Sequence, residues 1–414
     1  MSVKTTPALP PTLRRVLRGN MCSGCGLCAG LDPAIALKRD DKGWWRPSPV
    51  GTPRPETDAL LAETCPGARI SPWEGGEPRE ISPIWGPYLR IATGHATDPE
   101  IRHTGSSGGA LSALAVHLLA TGEVDRVLHV AMDPDAPLLT HIVRSSGRGD
   151  VLRAAGSRYA PAAPLAEIRA ELSEPGRILF IGKPCDAGAM RQLLRAEPEL
   201  VDRIPYILSF FCGGTPSQRG TERLVRRMGL EPDDITSFRY RGDGWPGQSS
   251  AVDARGRTGA LSYATSWGEE LSKEVQFRCG LCSDSVGGAA DIAAADAWYG
   301  DETGYPTFDE ADGRSLLIAR TARGEALLRA AESARAIETA PLPIGEIVKM
   351  QPYQAKRKHL NAARLAATYV MNSPRPDTRG LKLLDAARDA GLPALLKSFA
   401  GTARRIFRNR RAGR

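Results

Sequence analysis

The chain has 414 residues, of which 25% are charged and 42% are hydrophobic. This length exceeds that of a usual single domain, so we expect two or three compact units with apolar cores. The longest apolar stretch, Ala110–Ala120, contains Ser112 and His117 and is shorter than the roughly 20 residues that a membrane-spanning helix needs. The N-terminus is basic but lacks the apolar region of a secretory signal, so we expect a cytoplasmic protein.

Positive charge is concentrated near the end of the chain. Residues 349–414 hold sixteen Lys and Arg against three Asp, whereas the whole chain has a net charge of +8. This basic C-terminus is either a docking surface for an acidic partner protein or an anionic membrane, or a solvated tail. We expect no nucleic-acid partner, because the final basic run interleaves few aromatic residues, Phe399 and Phe407, and contains no recognised binding module.

The first 80 residues are rich in Pro, Gly and Cys and show no sustained hydrophobic period. This composition predicts a small unit that is organised by a metal rather than by a large core. The following segment, Ser71–Pro87, is typical of a linker.

From Tyr88 onward, short apolar runs alternate with helical patterns. YLRIATGHA, ALSALAVHLLA and VDRVLHVAM predict a strand, a helix and a strand. RILFIG then predicts a strand, the segment through Met190 and Leu194 a helix, and YILSFF a further strand. The rhythm predicts an α/β fold with a mixed-sheet core. After Pro341 the chain becomes helical and basic.

Four of the eight cysteines form a ferredoxin-type pattern. Cys22, Cys25 and Cys28 are separated by two residues each, and Cys65 stands directly before a proline. Three thiolates so spaced can occupy three corners of a [4Fe-4S] cubane if the loop turns tightly, which Gly24 and Gly26 permit. The fourth corner would take Cys65. The competing interpretation is a structural zinc site, although zinc sites usually have two C-x2-C knuckles.

The other four cysteines are more dispersed. Cys185 and Cys212 each follow a predicted strand, and Cys279 and Cys282 form a C-x2-C pair. Ligand sites gather at the carboxyl ends of strands in α/β sheets, so we expect Cys185 and Cys212 to lie side by side. A second metal site is one interpretation of this spacing, and a redox dithiol or a zinc ribbon are the others.

The sequence resembles the coenzyme F420 hydrogenase/dehydrogenase beta-subunit family. The resemblance runs roughly from Cys22 to Arg364 and rests on CSGCGLC, TGSSGGALSAL, AAGSRYAP, IGKPCDAGAMR, FFCGGTPS, YRGDGWPG and RCGLCSDSVGGAADIAAADAW. It implies FAD and one or two [4Fe-4S] clusters, and it assigns the four dispersed cysteines jointly to the cluster of the core. The cysteines of the N-terminal pattern resemble the extra cluster of two-cluster members.

These inferences divide the chain into four parts. We expect a ferredoxin-like [4Fe-4S] unit over residues 1–80 and the flavin-binding N-terminal part of the family over residues 81–168. We expect the C-terminal part of the family, with the second cluster, over residues 169–345 and a helical basic tail over residues 346–414.

A glycine-rich loop is the candidate flavin site. Thr104–Gly109 precedes a predicted helix, so its backbone N–H groups are placed to cradle a pyrophosphate, although glycine and serine also cap helices for purely structural reasons. With the family resemblance, the candidate cofactor-binding residues are Thr104, Ser106, Ser107, Gly108, Gly109, Ser157, Arg158 and Tyr159.

Three further features have both a functional and a structural interpretation. His103 is a candidate proton donor beside the flavin, but a histidine in this position is more often a polar loop residue. Trp245 could stack on a ring system, but a tryptophan in a Gly-Pro turn is more often packing. Asp291 and Asp296 could tune a cluster through their charge, but capping or a solvated loop is the commoner role.

Clusters together with a flavin convert one-electron into two-electron transfer. The first hypothesis is therefore an oxidoreductase in which a low-potential donor such as ferredoxin reduces the clusters and FAD reduces coenzyme F420 or an organic substrate. The second is an electron-transfer subunit of a larger hydrogenase or dehydrogenase. The third, a zinc-stabilised nucleic-acid binder, has little support.

Overall fold

The computed structural model describes residues 7–71, 80–301 and 306–411. The N-terminal segment forms α1 (Pro11–Arg18), α2 (Leu27–Leu31), β1 (Ile35–Arg39), β2 (Trp45–Pro49) and α3 (Thr57–Thr64). β1 and β2 pair antiparallel. This segment has no core of its own, because Leu13, Leu27 and Leu61 pack into one buried cluster with Met190 and Leu193 of the following part of the chain.

The middle of the chain continues with β3 (Glu80–Ser82), β4 (Gly86–Tyr88), β5 (Arg90–Ala96), α4 (Pro99–Thr104), α5 (Ala110–Ala120), β6 (Arg126–Met132), β7 (Thr140–Ser145), α6 (Arg148–Arg153), α7 (Ile168–Ser173), β8 (Ile178–Gly182), α8 (Pro184–Ala196), β9 (Tyr206–Phe210) and α9 (Gln218–Arg227). β3 and β4 form an antiparallel pair. They occupy the end of the predicted linker, whose residues 72–79 lie outside the described residues.

The elements that follow are β10 (Ile235–Arg239), β11 (Ser249–Asp253), β12 (Thr258–Leu261), α10 (Phe277–Gly280), β13 (Ile292–Asp296), β14 (Ser315–Ala319), α11 (Ala322–Ser333), β15 (Ile337–Pro341), α12 (Ile347–Met350), α13 (Pro352–His359), α14 (Asn361–Val370), α15 (Leu383–Ala387) and α16 (Leu392–Arg411). β10, β11 and β12 form an antiparallel sheet of their own. A π-helical turn spans Ala264–Glu270.

In the described part of the chain, the largest sheet has eight strands in the order β15-β5-β14-β13-β9-β8-β6-β7. Its centre is parallel, from β13 through β9 and β8 to β6, whereas β7, β14, β5 and β15 are antiparallel to their neighbours. The fold is therefore mixed α/β, as predicted. The carboxyl ends of the four parallel strands meet at one edge, where the candidate site lies.

Both faces of the central strands are covered, which explains their continuous apolar sequences. Leu179 of β8 packs with Leu114 of α5 on one face, and the adjacent Phe180 packs with Met190 of α8 on the other. All four of these side chains are fully buried. The predictions of β5, α5, β6, β8, α8 and β9 are confirmed.

The described part of the basic C-terminus, up to residue 411, is largely helical. α16 is 20 residues long and packs against α14, with Thr402 and Ile406 buried. Among the described residues, no helix is both long enough and apolar enough to cross a lipid bilayer.

Candidate redox site

The structure brings Cys22, Cys25, Cys28 and Cys65 together, and we call these four residues the first cysteine group. Cys22 and Cys25 lie on the turn between α1 and α2, Cys28 lies in the first turn of α2, and Cys65 follows α3 directly. The turn needs backbone angles that favour glycine, because φ is +75° at Gly24 and +87° at Gly26. A Cβ atom on Gly26 would also stand 2.7 Å from the backbone nitrogen of Ala166.

The thiols of this group lie close enough to influence one another. Burial, followed by the charges of Cys65 and Asp186, raises the pKa of Cys25 to about 12. Burial and then Cys22 raise the pKa of Cys65 to about 11. The pKa of Cys28 is raised well above its ordinary value by burial and by the three other thiols.

Cys185, Cys212, Cys279 and Cys282 form the second cysteine group. Cys185 lies in the first turn of α8 and Cys212 lies two residues beyond β9, at the shared carboxyl edge of two adjacent parallel strands. Burial, followed by Cys279, raises the pKa of Cys212 to about 12. The pKa values of Cys185 and Cys282 are also raised, mainly by burial.

The donor set of each group fits a metal cluster. Neighbouring thiols become good ligands as thiolates when a cationic centre compensates their charge. Within the described ranges, no three His, Cys, Asp or Glu side chains converge closely enough to hold one metal ion. The irons of a cubane stand at separate corners, so its thiolates do not have to meet at one point.

Arg278 lies between the two groups. Its side chain is buried, and its guanidinium interacts electrostatically with Cys25 and Cys65 of the first group and with Cys185, Cys279 and Cys282 of the second. Its Nη2 atom donates to the Pro66 carbonyl at 3.0 Å. The two cysteine groups are therefore neighbours that share one fixed positive charge.

A cavity of about 440 Å³ lies beside the second group, with Cys212 in its wall. This volume is in the range of small-molecule and cofactor sites. The cavity extends from the glycine-rich loop to an aromatic wall formed by Tyr263, Trp267, Trp298 and Phe308. Lys183 and Asp186, whose Nζ and Oδ2 atoms are 2.6 Å apart, line it near the cysteines.

Most of the predicted flavin-binding residues line this cavity. They are Ser106, Ser107, Gly109, Ser157, Arg158 and Tyr159. Thr104 and Gly108 are not among the lining residues. The N–H group of Gly108 instead donates to Ser315 Oγ at 3.0 Å, so this glycine serves contact between the loop and the sheet.

The two predicted flavin segments touch each other. The backbone N–H of Ser157 donates to Ser106 Oγ. Arg158 is already engaged, because its guanidinium donates to the carbonyls of Pro137, Leu139 and Phe238. Its role is therefore to shape the wall. The hydroxyls of Ser106 and Ser107 are engaged as well, because they donate to the carbonyls of Arg241 and Arg314.

The N-terminus of α5 opens on the cavity. Gly109 precedes the helix with φ of +70° and no side chain caps its first turn. Ala110, Leu111 and Ser112 of that turn line the cavity. Uncapped N–H groups at the positive end of an 11-residue helix suit an anionic group such as a pyrophosphate.

The sequence singled out Trp245 and Asp296 separately, but it missed Arg241 and the contacts that join the three residues beside the aromatic wall. Arg241 donates two hydrogen bonds to Asp296, and Trp245 Nε1 donates to the same carboxylate at 2.9 Å. The Trp245 ring stacks on Trp298 with centroids 4.7 Å apart. The motif YRGDGWPG supplied a signal for Arg241, but nothing in the sequence indicated its partner.

Two other candidates lie elsewhere. His103 is exposed at the end of α4 and is not among the residues that line the cavity. Asp291 accepts the Ile207 N–H at 2.8 Å and the Thr321 hydroxyl at 2.8 Å, and it pairs with Arg191 at 2.9 Å. Its carboxylate therefore joins β9, β13 and the start of α11.

Family comparisons agree with this geometry. Residues 91–169 match the N-terminal part, and residues 176–344 the C-terminal part, of the family described as "Coenzyme F420 hydrogenase/dehydrogenase, beta subunit". The two segments cover more than half of the chain. The chain belongs to this beta-subunit family. The second cysteine group lies inside the matched segments, whereas the first group and the helices α12–α16 lie outside them.

Individual relatives match over different lengths. The chain is 29% identical to F420-dependent formate dehydrogenase 1 subunit beta of Methanococcus maripaludis over 60% of this chain and 61% of that protein. It is 24% identical to coenzyme F420 hydrogenase subunit beta of Methanococcus voltae over 66% of this chain and 94% of that protein. It is 20% identical to coenzyme F420-dependent sulfite reductase of Methanocaldococcus jannaschii, and the match covers 83% of this chain and 50% of that protein.

A solved structure has the same fold. A chain of the F420-reducing [NiFe] hydrogenase complex from Methanosarcina barkeri superposes with a TM-score of 0.55 at 20% identity. The match covers 72% of this chain and 98% of that one.

Proposed function

We propose that this chain is an iron–sulfur flavoprotein oxidoreductase that moves electrons between a low-potential one-electron donor and a two-electron acceptor. The two cysteine groups would hold two [4Fe-4S] clusters and the cavity would hold FAD, which supplies the exchange between one-electron and two-electron transfer. The donor would be ferredoxin-like, and the acceptor would be coenzyme F420 or an organic substrate.

One observation carries the proposal. Cys212 of the second group stands in the wall of the cavity, and Arg278 links that group to the first. Two thiol cages and a cofactor-sized cavity thus lie in one continuous series. The uncapped N-terminus of α5, whose first turn lines the cavity, supports the placement of a pyrophosphate there.

The test is anaerobic isolation followed by electron transfer. We expect about eight irons and one FAD per chain, and reduction of the flavin absorbance by a reduced ferredoxin. Reoxidation by oxidised coenzyme F420 would then identify the acceptor. A chain with bound zinc, or with no iron after anaerobic reconstitution, would contradict the proposal.

A second candidate is an electron-transfer beta subunit of a larger hydrogenase or dehydrogenase without its own organic substrate. It is favoured by large apolar side chains that remain exposed on the C-terminal helices, among them Tyr369, Leu384, Leu392 and Leu396. Two of the relatives above are named as subunits. Copurification of the full chain with a stoichiometric larger subunit, with loss of acceptor reduction when the two are separated, would support this candidate over the first.

A further inference from the structure

The helices α13 and α14 hold the loop that contains two cysteines of the second group. Five consecutive backbone carbonyls, from Cys279 to Ser283, accept hydrogen bonds from side chains of these helices. Arg357 Nη2 donates to Cys279, Arg364 Nη1 to Gly280 at 2.8 Å, Asn361 Nδ2 to Leu281 at 3.1 Å and to Cys282 at 3.2 Å, and Lys358 Nζ to Ser283 at 2.9 Å. Three of the four donating side chains are cations.

Arg357 also contacts the loop that contains a third cysteine of the second group, Cys212. Its Nη1 atom donates to the carbonyl of Cys212 at 2.8 Å, and Gln354 Nε2 donates to the same oxygen at 3.1 Å. The Arg357 side chain is 4% exposed. A single buried guanidinium therefore connects the loops of Cys212 and Cys279, so its position and its charge act on the second group together.

The loops of the first group are held differently. Gln276 Nε2 donates to the Ser23 carbonyl at 3.1 Å, and the Leu165 N–H donates to the Cys25 carbonyl at 2.9 Å. Both donors are neutral. Arg278 is a cation that the two groups share. Arg46 also lies near Cys22, since it donates to the Trp45 carbonyl and to Gln276 Oε1, but its charge is paired with Asp40.

The charges that act on the thiols also differ between the two groups. Lys183, Arg357 and Lys358 interact with thiols of the second group, and Asp186 and Asp284 oppose them there. Among the main electrostatic influences on Cys25 and Cys65, the fixed charges are those of Asp186 and Arg278, which are opposite in sign. The second group is therefore in the more positive environment.

We propose that Arg357 and Lys358 give a cluster at the second cysteine group a higher midpoint potential than a cluster at the first. The inference rests on the proposed function, because it presupposes a cluster at each group. A nearby positive charge stabilises an added electron, and hydrogen bonds and net charge around an iron–sulfur centre set its potential. Both residues lie beyond the segments that match the family.

This order of potentials gives electron transfer a direction. With a cluster at each group, one electron that enters at the first group would move favourably to the second group, which borders the cavity, and the step would transfer no proton and break no bond. The C-terminal helices would then help to set the difference in midpoint potential between the two groups. Arg357 is a positioning residue that acts through the cysteine loops.

The experiment compares midpoint potentials in the full-length, anaerobically reconstituted chain by redox titration monitored with EPR. Cys25→Ser leaves the second cluster to be measured alone, and Cys279→Ser leaves the first. We expect the higher midpoint potential in the Cys25→Ser chain. In that background, Arg357→Gln should shift the potential to a more negative value, and Arg357→Lys should largely restore it. Arg404→Gln, which removes an exposed charge from α16, is the matched control and should cause no shift.

The outcomes separate this inference from the proposed function. If neither cysteine variant assembles a cluster, the proposed function fails and this inference fails with it. If both clusters assemble but the first has the higher potential, or Arg357→Gln leaves the second potential unchanged, the inference alone is overturned. Should Arg357→Gln lose its cluster, Lys358→Gln provides the same charge test at a side chain that contacts one carbonyl, and an unchanged potential there counts against the inference.

Discussion

Arg241 and Asp296 form a buried, bidentate ion pair in the wall of the cavity. Arg241 Nη1 and Nη2 lie 2.8 Å and 2.7 Å from the two carboxylate oxygens, and the arginine side chain is 2% exposed. The arginine comes from the segment after β10 and the aspartate ends β13. The pair therefore ties the small antiparallel sheet to the carboxyl edge of the large one.

We predict that Asp296→Ala lowers the free energy of unfolding of the cofactor-free chain by about 3 kcal/mol, because it leaves the buried Arg241 charge without its partner. Chemical denaturation measures the change. The control is Glu269→Gln, which breaks the exposed pair with Arg227 and should cost less than about 1 kcal/mol. Equal small effects of the two variants would contradict the structural role of the buried pair.

His129 makes stability depend on pH in the mildly acidic range. It lines the cavity, its Nε2 atom lies 2.7 Å from Ser145 Oγ, and burial lowers its pKa to about 4. The unfolded chain binds a proton at this histidine more readily than the folded chain does. The contribution of His129 to the free energy of unfolding is therefore fully present above about pH 6.5 and is lost as the pH falls toward 4.

We predict that His129→Gln reduces the loss of unfolding free energy between pH 6.5 and pH 4, by at most about 3 kcal/mol relative to the wild type. Denaturation of the cofactor-free chain at a series of pH values measures the difference. His103→Gln is the control, because that histidine is exposed. Parallel pH curves for the wild type and His129→Gln would disprove the assignment.

The sequence predicts well what depends on local pattern. The strand β8 and the helix α5 follow from the period of their apolar residues, and the neighbouring positions of Cys185 and Cys212 follow from the rule that parallel strands end at one edge. The turn around Gly24 and Gly26 follows from its glycines.

The sequence does not predict partners that meet only after folding. Asp296 meets Arg241 across 55 positions, and Arg357 meets Cys212 across 145. Neither contact leaves a periodic signal, because a single side chain at the end of an element determines it. The shared core between the N-terminal segment and α8 is hidden for the same reason, since Leu61 and Met190 are ordinary apolar residues in their own elements.

We predict that each cysteine group assembles independently. Cys25→Ser should remove the cluster of the first group, Cys279→Ser that of the second, and each should lower the iron content by about half, because each cage supplies its own four thiolates. Iron analysis under strictly anaerobic conditions is the measurement. Loss of all iron from either single variant would show that the two groups are not separate cages.

We predict that Ser112→Asp weakens FAD binding by at least about tenfold without destabilising the chain. A carboxylate in the first turn of α5 interacts favourably with the helix dipole but repels a pyrophosphate in the adjoining cavity. Titration of the flavin-free chain with FAD measures the affinity. Ser112→Asn is the neutral control and should bind FAD nearly as well as the wild type.

Ser112→Asp tests the pyrophosphate site more specifically than a bulky replacement in the glycine-rich loop does. A Cβ atom at Gly109 would stand 2.5 Å from the Ile101 carbonyl, so Gly109→Val disturbs the loop whether or not a flavin binds there. Unchanged FAD affinity in Ser112→Asp would contradict the proposed position of the pyrophosphate at the N-terminus of α5.

The last prediction concerns the basic surface of α16. Arg404 and Arg408 are exposed on this helix, while Ile406 between them is buried, so their charges can be reversed without removing the packed side. A truncation would also remove Arg405, which lies against Gly280 in the loop between Cys279 and Cys282. We expect Arg404→Glu with Arg408→Glu to slow reduction by an acidic ferredoxin about threefold to tenfold at low salt, because steering of a charged partner is weakened.

Stopped-flow kinetics measure this rate, with dithionite as a small reductant whose rate should stay the same. The matched control reverses two exposed arginines of α9, Arg219 and Arg226, and should leave ferredoxin reduction near the wild-type rate. The difference should shrink as salt approaches 0.1 M, where charges are screened over about 10 Å. Equal ferredoxin rates for the two double variants at low salt would show that α16 does not dock the donor. Binding of the wild type, but not of the α16 variant, to anionic vesicles would then assign the helix to a membrane surface instead.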